Sequence, residues 1–94
     1  MIVDFDPVKD EANRIKHGVP LAFGVKVFGD AGHIVLPSLR PIDGEDRYKA
    51  VGMVGGQLWT AVHVWRGAAM RMISVRRSNA GEQRDYDRDS EGPG

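Results

Sequence analysis

Cysteine is absent from the 94-residue chain, which excludes disulfide bonds, thiolate zinc sites and cysteine nucleophiles. Long apolar runs are lacking too, and no stretch approaches the ~20 residues that a membrane-spanning helix needs. Residues 1–6 contain neither a basic start nor the apolar core of a signal peptide, so we expect a cytoplasmic protein. The length predicts a single domain, over residues 1–87, and a polar, disordered tail over residues 88–94.

The chain also has no formal net charge, because 13 Lys and Arg residues balance 13 Asp and Glu residues. The charges are nevertheless segregated along the chain. Between Arg47 and Gly81 there are six basic residues and no acidic residue, which leaves seven basic residues against all 13 acids elsewhere. This asymmetry favours an anionic partner such as nucleic acid, although scattered, solvated arginines would give the same count.

The first half of the chain has helical periodicity. Asp6–Pro7 is typical of a helix start, with Asp6 as N-cap and proline at the first helical position. Val8, Ala12 and Ile15 then form one apolar stripe at the spacing of an amphipathic helix. Gly18 predicts the end of this helix in a left-handed cap.

The second half changes to strand periodicity, with glycine turns between the apolar segments. A last helix is expected from Asn79, because Glu82 three residues later completes a capping box. The predicted order is β-α-α-β-β-β-β-α, namely strand 2–5, helices 7–17 and 20–28, strands 33–36, 47–54, 58–66 and 69–77, and the helix from residue 79. We therefore predict an α+β fold in which an antiparallel sheet packs on helices.

A two-residue turn at Gly67–Ala68 would define the pairing of the last two strands. It sets His63 opposite Met72 and Trp59 opposite Arg76, and opposed residues share a face. One predicted face is hydrophobic and suited to packing on helices: Leu58, Thr60, Val62, Val64, Ile73 and Val75. The other mixes aromatic, titratable, hydroxyl and cationic groups: Trp59, His63, Trp65, Met70, Met72, Ser74 and Arg76.

Several short motifs follow one another along the chain. They are Phe5-Asp6-Pro7-Val8-Lys9, Asn13 and Lys16-His17-Gly18-Val19, then Glu45-Asp46-Arg47-Tyr48 and Gly52, and finally Arg66-Gly67, Arg71 to Ser78, Glu82 and Tyr86. In this order the chain, from about Asp4 to Tyr86, resembles the BrnT family of ribonuclease toxins of type II toxin–antitoxin systems. It departs from the family pattern at 21–24, at Gln83 and at Trp65.

The resemblance implies a compact α+β fold like that of RelE-type ribonucleases, and RNA as the substrate. It also implies a BrnA-type antitoxin that neutralises the toxin in a hetero-oligomer. The antitoxin binds operator DNA, so this chain would meet DNA only through the complex. No cofactor and no membrane partner are implied.

RNA carries its own nucleophile, the 2′-hydroxyl, so its cleavage requires no metal ion. It requires a base for the hydroxyl proton and cations for the charge that develops on the phosphate. Arg47, Arg76 and Arg77 are the candidates for the cationic role, because arginine holds phosphate bidentately and stays protonated. His17 and His63 are the candidate bases, because the pKa of histidine lies near neutrality.

Other residues are candidates for holding the RNA. Basic and hydroxyl groups can bind phosphates, and tryptophan can stack on an unpaired base. These candidates are Lys9, Lys16, Arg66, Arg71, Ser74 and Trp59. Each candidate also has a structural alternative, such as a solvated cation, a helix-capping His17, a buried His63 or a core tryptophan. We expect the guanidinium groups of the last hairpin to converge where a phosphodiester can sit.

Two other functions stay open. The chain could be a non-catalytic antitoxin- or nucleic-acid-binding protein of the same fold, which the departures at Leu21 and Gln83 favour. It could instead be a metal-dependent nuclease that holds Mg²⁺ through Asp43, Glu45 and Asp46, although a polar loop is the simpler explanation of these acids.

Overall fold

The computed structural model describes residues 2–38 and 46–91. A five-stranded sheet and three helices confirm the predicted α+β class. The elements are β1 (Ile2–Asp4), α1 (Pro7–His17), a 3₁₀ turn (Leu21–Phe23), α2 (Gly24–Val27), β2 (Ile34–Pro37), β3 (Tyr48–Val54), β4 (Gln57–Arg66), β5 (Ala69–Arg77) and α3 (Ala80–Glu91). Residues 39–45 of the predicted loop and residues 92–94 of the predicted tail lie outside the described ranges. The RelE-like arrangement stays a prediction.

The sheet is mixed, so the prediction of a purely antiparallel sheet is wrong. Its strand order is β1-β5-β4-β3-β2, and β1 runs parallel to β5 with Ile2 beside Ala69 and Asp4 beside Arg71. The remaining neighbours are antiparallel. A short turn requires the strands that it joins to be antiparallel, whereas β1 and β5 are far apart in sequence and their direction is set by packing.

Helix α1 has the predicted ends. The N–H of Val8 donates to Asp6 Oδ1 at 2.8 Å, and Gly18 adopts a left-handed cap with φ of 80°. The buried residue of the helix is Asn13, which bonds to both backbone groups of Val75. Because β1 ends before this point, the Asn13 amide takes the place of a neighbouring strand at the edge of β5.

The second helix is shorter than predicted and begins as a 3₁₀ turn. Its buried residues are Leu21, Gly24 and Val27, while Val25 is exposed. A Cβ atom on Gly24 would lie 2.8 Å from the Met72 side chain. The glycine therefore permits the helix to lie close against the sheet, and this contact selects the buried face.

The last hairpin contains a β-bulge that the predicted pairing lacks. His63 lies opposite Met72 as expected, but Val62 lies opposite Ser74, so Ile73 is an extra residue. Beyond the bulge every predicted pair shifts by one residue, and Trp59 lies opposite Arg77. A bulge is set by the packing of both strands, and the turn residues carry no signal for it.

The shift reassigns the two faces of the sheet. The face predicted to be mixed is the core face, where Ala61, Met70, Met72 and Val75 pack with Leu21. Ser74 and Arg76 move to the opposite face, where Glu82 of helix α3 accepts hydrogen bonds from Arg76. The predicted membership of both faces is therefore wrong for these two residues and for Val75.

Candidate active site

A small cleft lies between helix α1 and the second half of β5. Its volume is about 170 Å³, and its lining contains cationic, imidazole and hydroxyl groups and, among the described residues, no carboxylate. The lining residues are Lys9, Ala12, Asn13, Lys16, His17, Ile73 and Ser74. Four of the predicted site residues, Lys9, Lys16, His17 and Ser74, therefore meet in this one cleft.

Local structure explains this convergence. Lys9 and Lys16 are seven residues apart on α1, which is two helical turns, so they lie on one side of the helix. Asn13 lies between them and fixes the helix to β5 through two hydrogen bonds with the Val75 backbone, of 2.9 and 3.0 Å, and its amide also donates to the Val19 carbonyl at 2.8 Å. Ser74 follows the bulged Ile73, and both border the cleft from the β5 side.

The pKa of His17 is lowered from its ordinary value. Partial burial is the main cause, followed by the positive charges of Lys16 and Arg76. The imidazole is therefore mostly neutral at neutral pH, which is the state that accepts a proton. Since His17 also ends helix α1, its predicted capping role and a chemical role are compatible.

Arg76 lies beside this cleft in an ion pair that the sequence analysis missed. Its Nη1 and Nη2 donate to the two carboxylate oxygens of Glu82, each at 2.8 Å. Nη1 also donates to the Arg77 carbonyl at 3.3 Å. A guanidinium has five N–H donors, so two donors remain beyond these three contacts in the described residues. The Arg76 side chain is 28 % exposed, so part of it is open to solvent.

Glu82 is buried at the centre of a cluster of polar side chains that includes Arg76, with 1 % of its surface exposed. It completes the predicted capping box with Asn79, accepts from Thr60 Oγ1 and pairs with Lys49 Nζ at 3.2 Å. Burial alone raises the pKa of Glu82, but the bonds from Arg76, Asn79 and Thr60 lower it to about 2. The carboxylate is thus charged at neutral pH and binds both terminal nitrogens of Arg76.

Arg77 and Trp59 lie on the other side of β5 from Arg76. They are cross-strand partners, and the Arg77 guanidinium lies 5.6 Å from the Trp59 ring centroid. Trp59 packs edge-on against Phe23 next to the core. Successive side chains of a strand point to opposite faces, so the structure does not bring the guanidinium groups of Arg76 and Arg77 together.

His63 and Arg47 lie away from the cleft lining. His63 is buried in the core beside Phe28, and its Nδ1 lies 3.0 Å from the Ala61 carbonyl. Burial lowers the pKa of His63. Arg47 precedes β3, where its carbonyl accepts from the N–H of Ser38, and its buried Nε has no hydrogen-bond partner among the described residues.

Arg71 and Arg66 are at the far end of the last hairpin from His17. Arg71 pairs with Asp4 of the neighbouring strand at 3.3 Å. Arg66 is exposed where β4 ends. Neither belongs to the residues that line the cleft, so these two predicted RNA contacts would require a ligand that extends along β5.

A larger open groove of about 660 Å³ lies between β2 and α3. Its described lining contains Asp85 and Asp89 together with Arg88 and His33, and none of the predicted site residues, so two carboxylates would oppose an RNA phosphate there. Among residues 2–38 and 46–91, no group of three or more His, Asp or Glu side chains could hold a metal ion. Asp43 and Glu45 of the alternative metal site lie outside these ranges.

Comparison with known families decides the identity of the chain. Residues 5–82 match the model of a family described as the ribonuclease toxin, BrnT, of type II toxin–antitoxin systems. The chain belongs to the BrnT family. This confirms the resemblance in the sequence motifs, and BrnT membership implies an antitoxin partner. Comparison with curated proteins returned no match. In the part of the chain that the structure describes, no helix is long and apolar enough to cross a membrane.

Proposed function

We propose that this BrnT protein is a metal-independent endoribonuclease and that the α1–β5 cleft is its active site. The main support for the proposal is the lining of the cleft, where a histidine with a lowered pKa meets two lysines and a serine, with no carboxylate among the described lining residues. This set contains a proton acceptor and phosphate-binding groups, which are the groups that RNA cleavage through the 2′-hydroxyl requires.

His17 takes the proton of the 2′-hydroxyl, and the 2′-oxygen attacks the adjacent phosphorus. A bond forms between the 2′-oxygen and phosphorus, the bond from phosphorus to the 5′-oxygen breaks, and the leaving oxygen takes a proton from water. The products are a 2′,3′-cyclic phosphate and a 5′-hydroxyl. The two remaining N–H donors of Arg76 stabilise the charge on the phosphate oxygens, a contact typically worth about 3–4 kcal/mol in the transition state.

Lys9, Lys16 and Ser74 bind the phosphate and its neighbours along the cleft. Glu82 acts through Arg76 as a positioning residue. Arg47, Arg77, His63 and Trp59 are not needed for the chemical step in this mechanism. A BrnA-type antitoxin neutralises the activity, and operator DNA is bound through the toxin–antitoxin complex.

A non-catalytic binding protein of the same fold is the second candidate, and one observation favours it. Arg76 is already paired bidentately with Glu82, as expected for a purely structural arginine. Both candidates bind RNA through Lys9 and Lys16, so only the formation of product separates them.

The test is incubation of the purified protein with single-stranded RNA in excess EDTA, followed by analysis of the new RNA ends. We expect cleavage, with cyclic phosphate and 5′-hydroxyl ends. His17→Gln should remove most of the activity, whereas His33→Gln, outside the cleft, should retain it. Intact RNA would refute the catalytic proposal, and cleavage only with added Mg²⁺ would favour the metal-dependent alternative.

A further inference from the structure

The apolar stripe of helix α1 faces solvent. Val8 is 77 % exposed, Ile15 is 78 % exposed and Ala12 between them is also exposed. An amphipathic helix normally buries such a stripe against the core. Here Asn13 fixes the opposite side of α1 to the sheet, so the stripe is an apolar surface without a partner in the described chain.

This stripe lies next to the proposed active site. At 100° per residue, Val8, Ala12 and Ile15 span an arc of about 60° around the helix axis. Lys9 and Lys16 come next on one flank. Ala12 belongs both to the stripe and to the lining of the cleft. A segment that packs along the stripe would therefore pass over the mouth of the cleft.

The charges around the stripe determine what can cover it. Lys9 and Lys16 are about 10 Å apart along the helix axis and form a basic rail beside the apolar residues. RNA phosphates would pair with the lysines but would gain nothing from Val8 and Ile15. A second copy of the chain, packed antiparallel with stripe against stripe, would bring the lysines of the two copies together. An amphipathic helix with an acidic flank satisfies both the apolar stripe and the basic rail.

We propose that the antitoxin docks an amphipathic helix on Val8, Ala12 and Ile15, with acidic residues of that helix against Lys9 and Lys16. This inference rests on the proposed function, because the site it closes is the proposed catalytic cleft. The antitoxin would then inhibit RNA cleavage by covering the cleft itself. The docked helix occupies the two lysines that would hold the substrate and blocks the approach of a phosphodiester to His17.

The experiment measures binding of the protein encoded by the reading frame adjacent to the gene for this chain. The variant is the double substitution Val8→Ser and Ile15→Ser, which changes exposed side chains outside the cleft lining. The control is Val35→Ser, because Val35 is also an exposed apolar residue, with 49 % of its surface exposed, but lies on β2. Calorimetry gives the affinity, and an RNA cleavage assay with and without the partner gives the inhibition.

We expect the double variant to bind at least about 30-fold more weakly, as for the loss of a hydrophobic hot spot, and to escape inhibition. The control should bind as the wild type does. Both should cleave RNA normally when alone. Equal affinity of the double variant and the wild type would overturn the inference, and so would absence of binding to the wild type.

Two further outcomes separate the alternatives. Self-association of the free wild-type chain that the double variant loses, seen by analytical ultracentrifugation, would assign the stripe to a homodimer and overturn the inference. Binding that depends on the stripe, without any RNA cleavage by the free chain, would support the docking surface but refute the proposed catalytic function.

Discussion

The buried carboxylate of Glu82 provides the sharpest test of the cluster that orients Arg76. The substitution Glu82→Gln keeps the shape of the side chain and removes its charge. The new amide nitrogen would face donors, because Arg76, Lys49 and Thr60 all point toward this carboxylate. Arg76 and Lys49 would then be left half-buried without their counter-charge.

The magnitude follows from the pKa of Glu82, which falls from 4.5 to about 2 in the folded protein. Each unit corresponds to about 1.4 kcal/mol, so the charged form contributes about 3 kcal/mol to the free energy of unfolding. Because the folded pKa is the lower one, this stabilisation is complete above pH 4.5 and is lost as the pH falls toward 2. About 2 kcal/mol of it should be gone by pH 3.

The assay is urea denaturation of the wild type and of Glu82→Gln at pH 7 and pH 3. The variant should be about 3 kcal/mol less stable at pH 7 and about 1 kcal/mol less stable at pH 3. Asp85→Asn is the matched control, because within residues 2–38 and 46–91 Asp85 pairs with Arg88 of the same helix at an exposed position, and its effect should stay below about 0.5 kcal/mol. A difference that is the same at both pH values would show that the charge of Glu82 does not stabilise the folded protein.

Two other predictions concern the core and the edge of the sheet. A Cβ on Gly52 would lie 2.5 Å from the Val27 carbonyl, so Gly52→Ala should lower the free energy of unfolding by about 3 kcal/mol, measured by denaturation. As the control, a Cβ on Gly81 meets nothing closer than 3.5 Å, so Gly81→Ala should raise the free energy of unfolding by about 0.5 kcal/mol. Asn13→Ala removes the hydrogen bonds to both backbone groups of Val75 and should cost about 2–4 kcal/mol, together with faster amide exchange at Val75. Unchanged stability of Gly52→Ala or of Asn13→Ala would contradict the packing described.

Local signals allowed part of the fold to be predicted. The caps of α1 and the Asn79–Glu82 capping box depend on neighbours within a few residues, and the structure has both. The bulge at Ile73 depends on how two strands pack on a helix, so it left no signal in the turn. The parallel pairing of β1 with β5 likewise depends on contacts between distant segments.

For the same reason, some parts of the candidate site could be predicted from the sequence and others could not. Lys9, Lys16 and His17 share a helix, so their proximity follows from helical periodicity. The Arg76–Glu82 pair links a strand to the following helix. Predicting this pair requires the direction in which the helix leaves the strand, and the sequence does not provide that direction. The exposed stripe of Val8 and Ile15 was unexpected because its spacing alone would favour burial.

The proposed mechanism depends on His17 of the α1–β5 cleft as the base in RNA cleavage. The most direct measurement is the dependence of the cleavage rate on pH, in EDTA, for the wild type and His17→Gln. Because the pKa of His17 lies below 6.5, the wild-type rate should rise with pH below that value and level off near neutrality. The variant should lose the rise and about 100-fold or more of the rate. A variant that keeps both the rate and the rise would contradict the account.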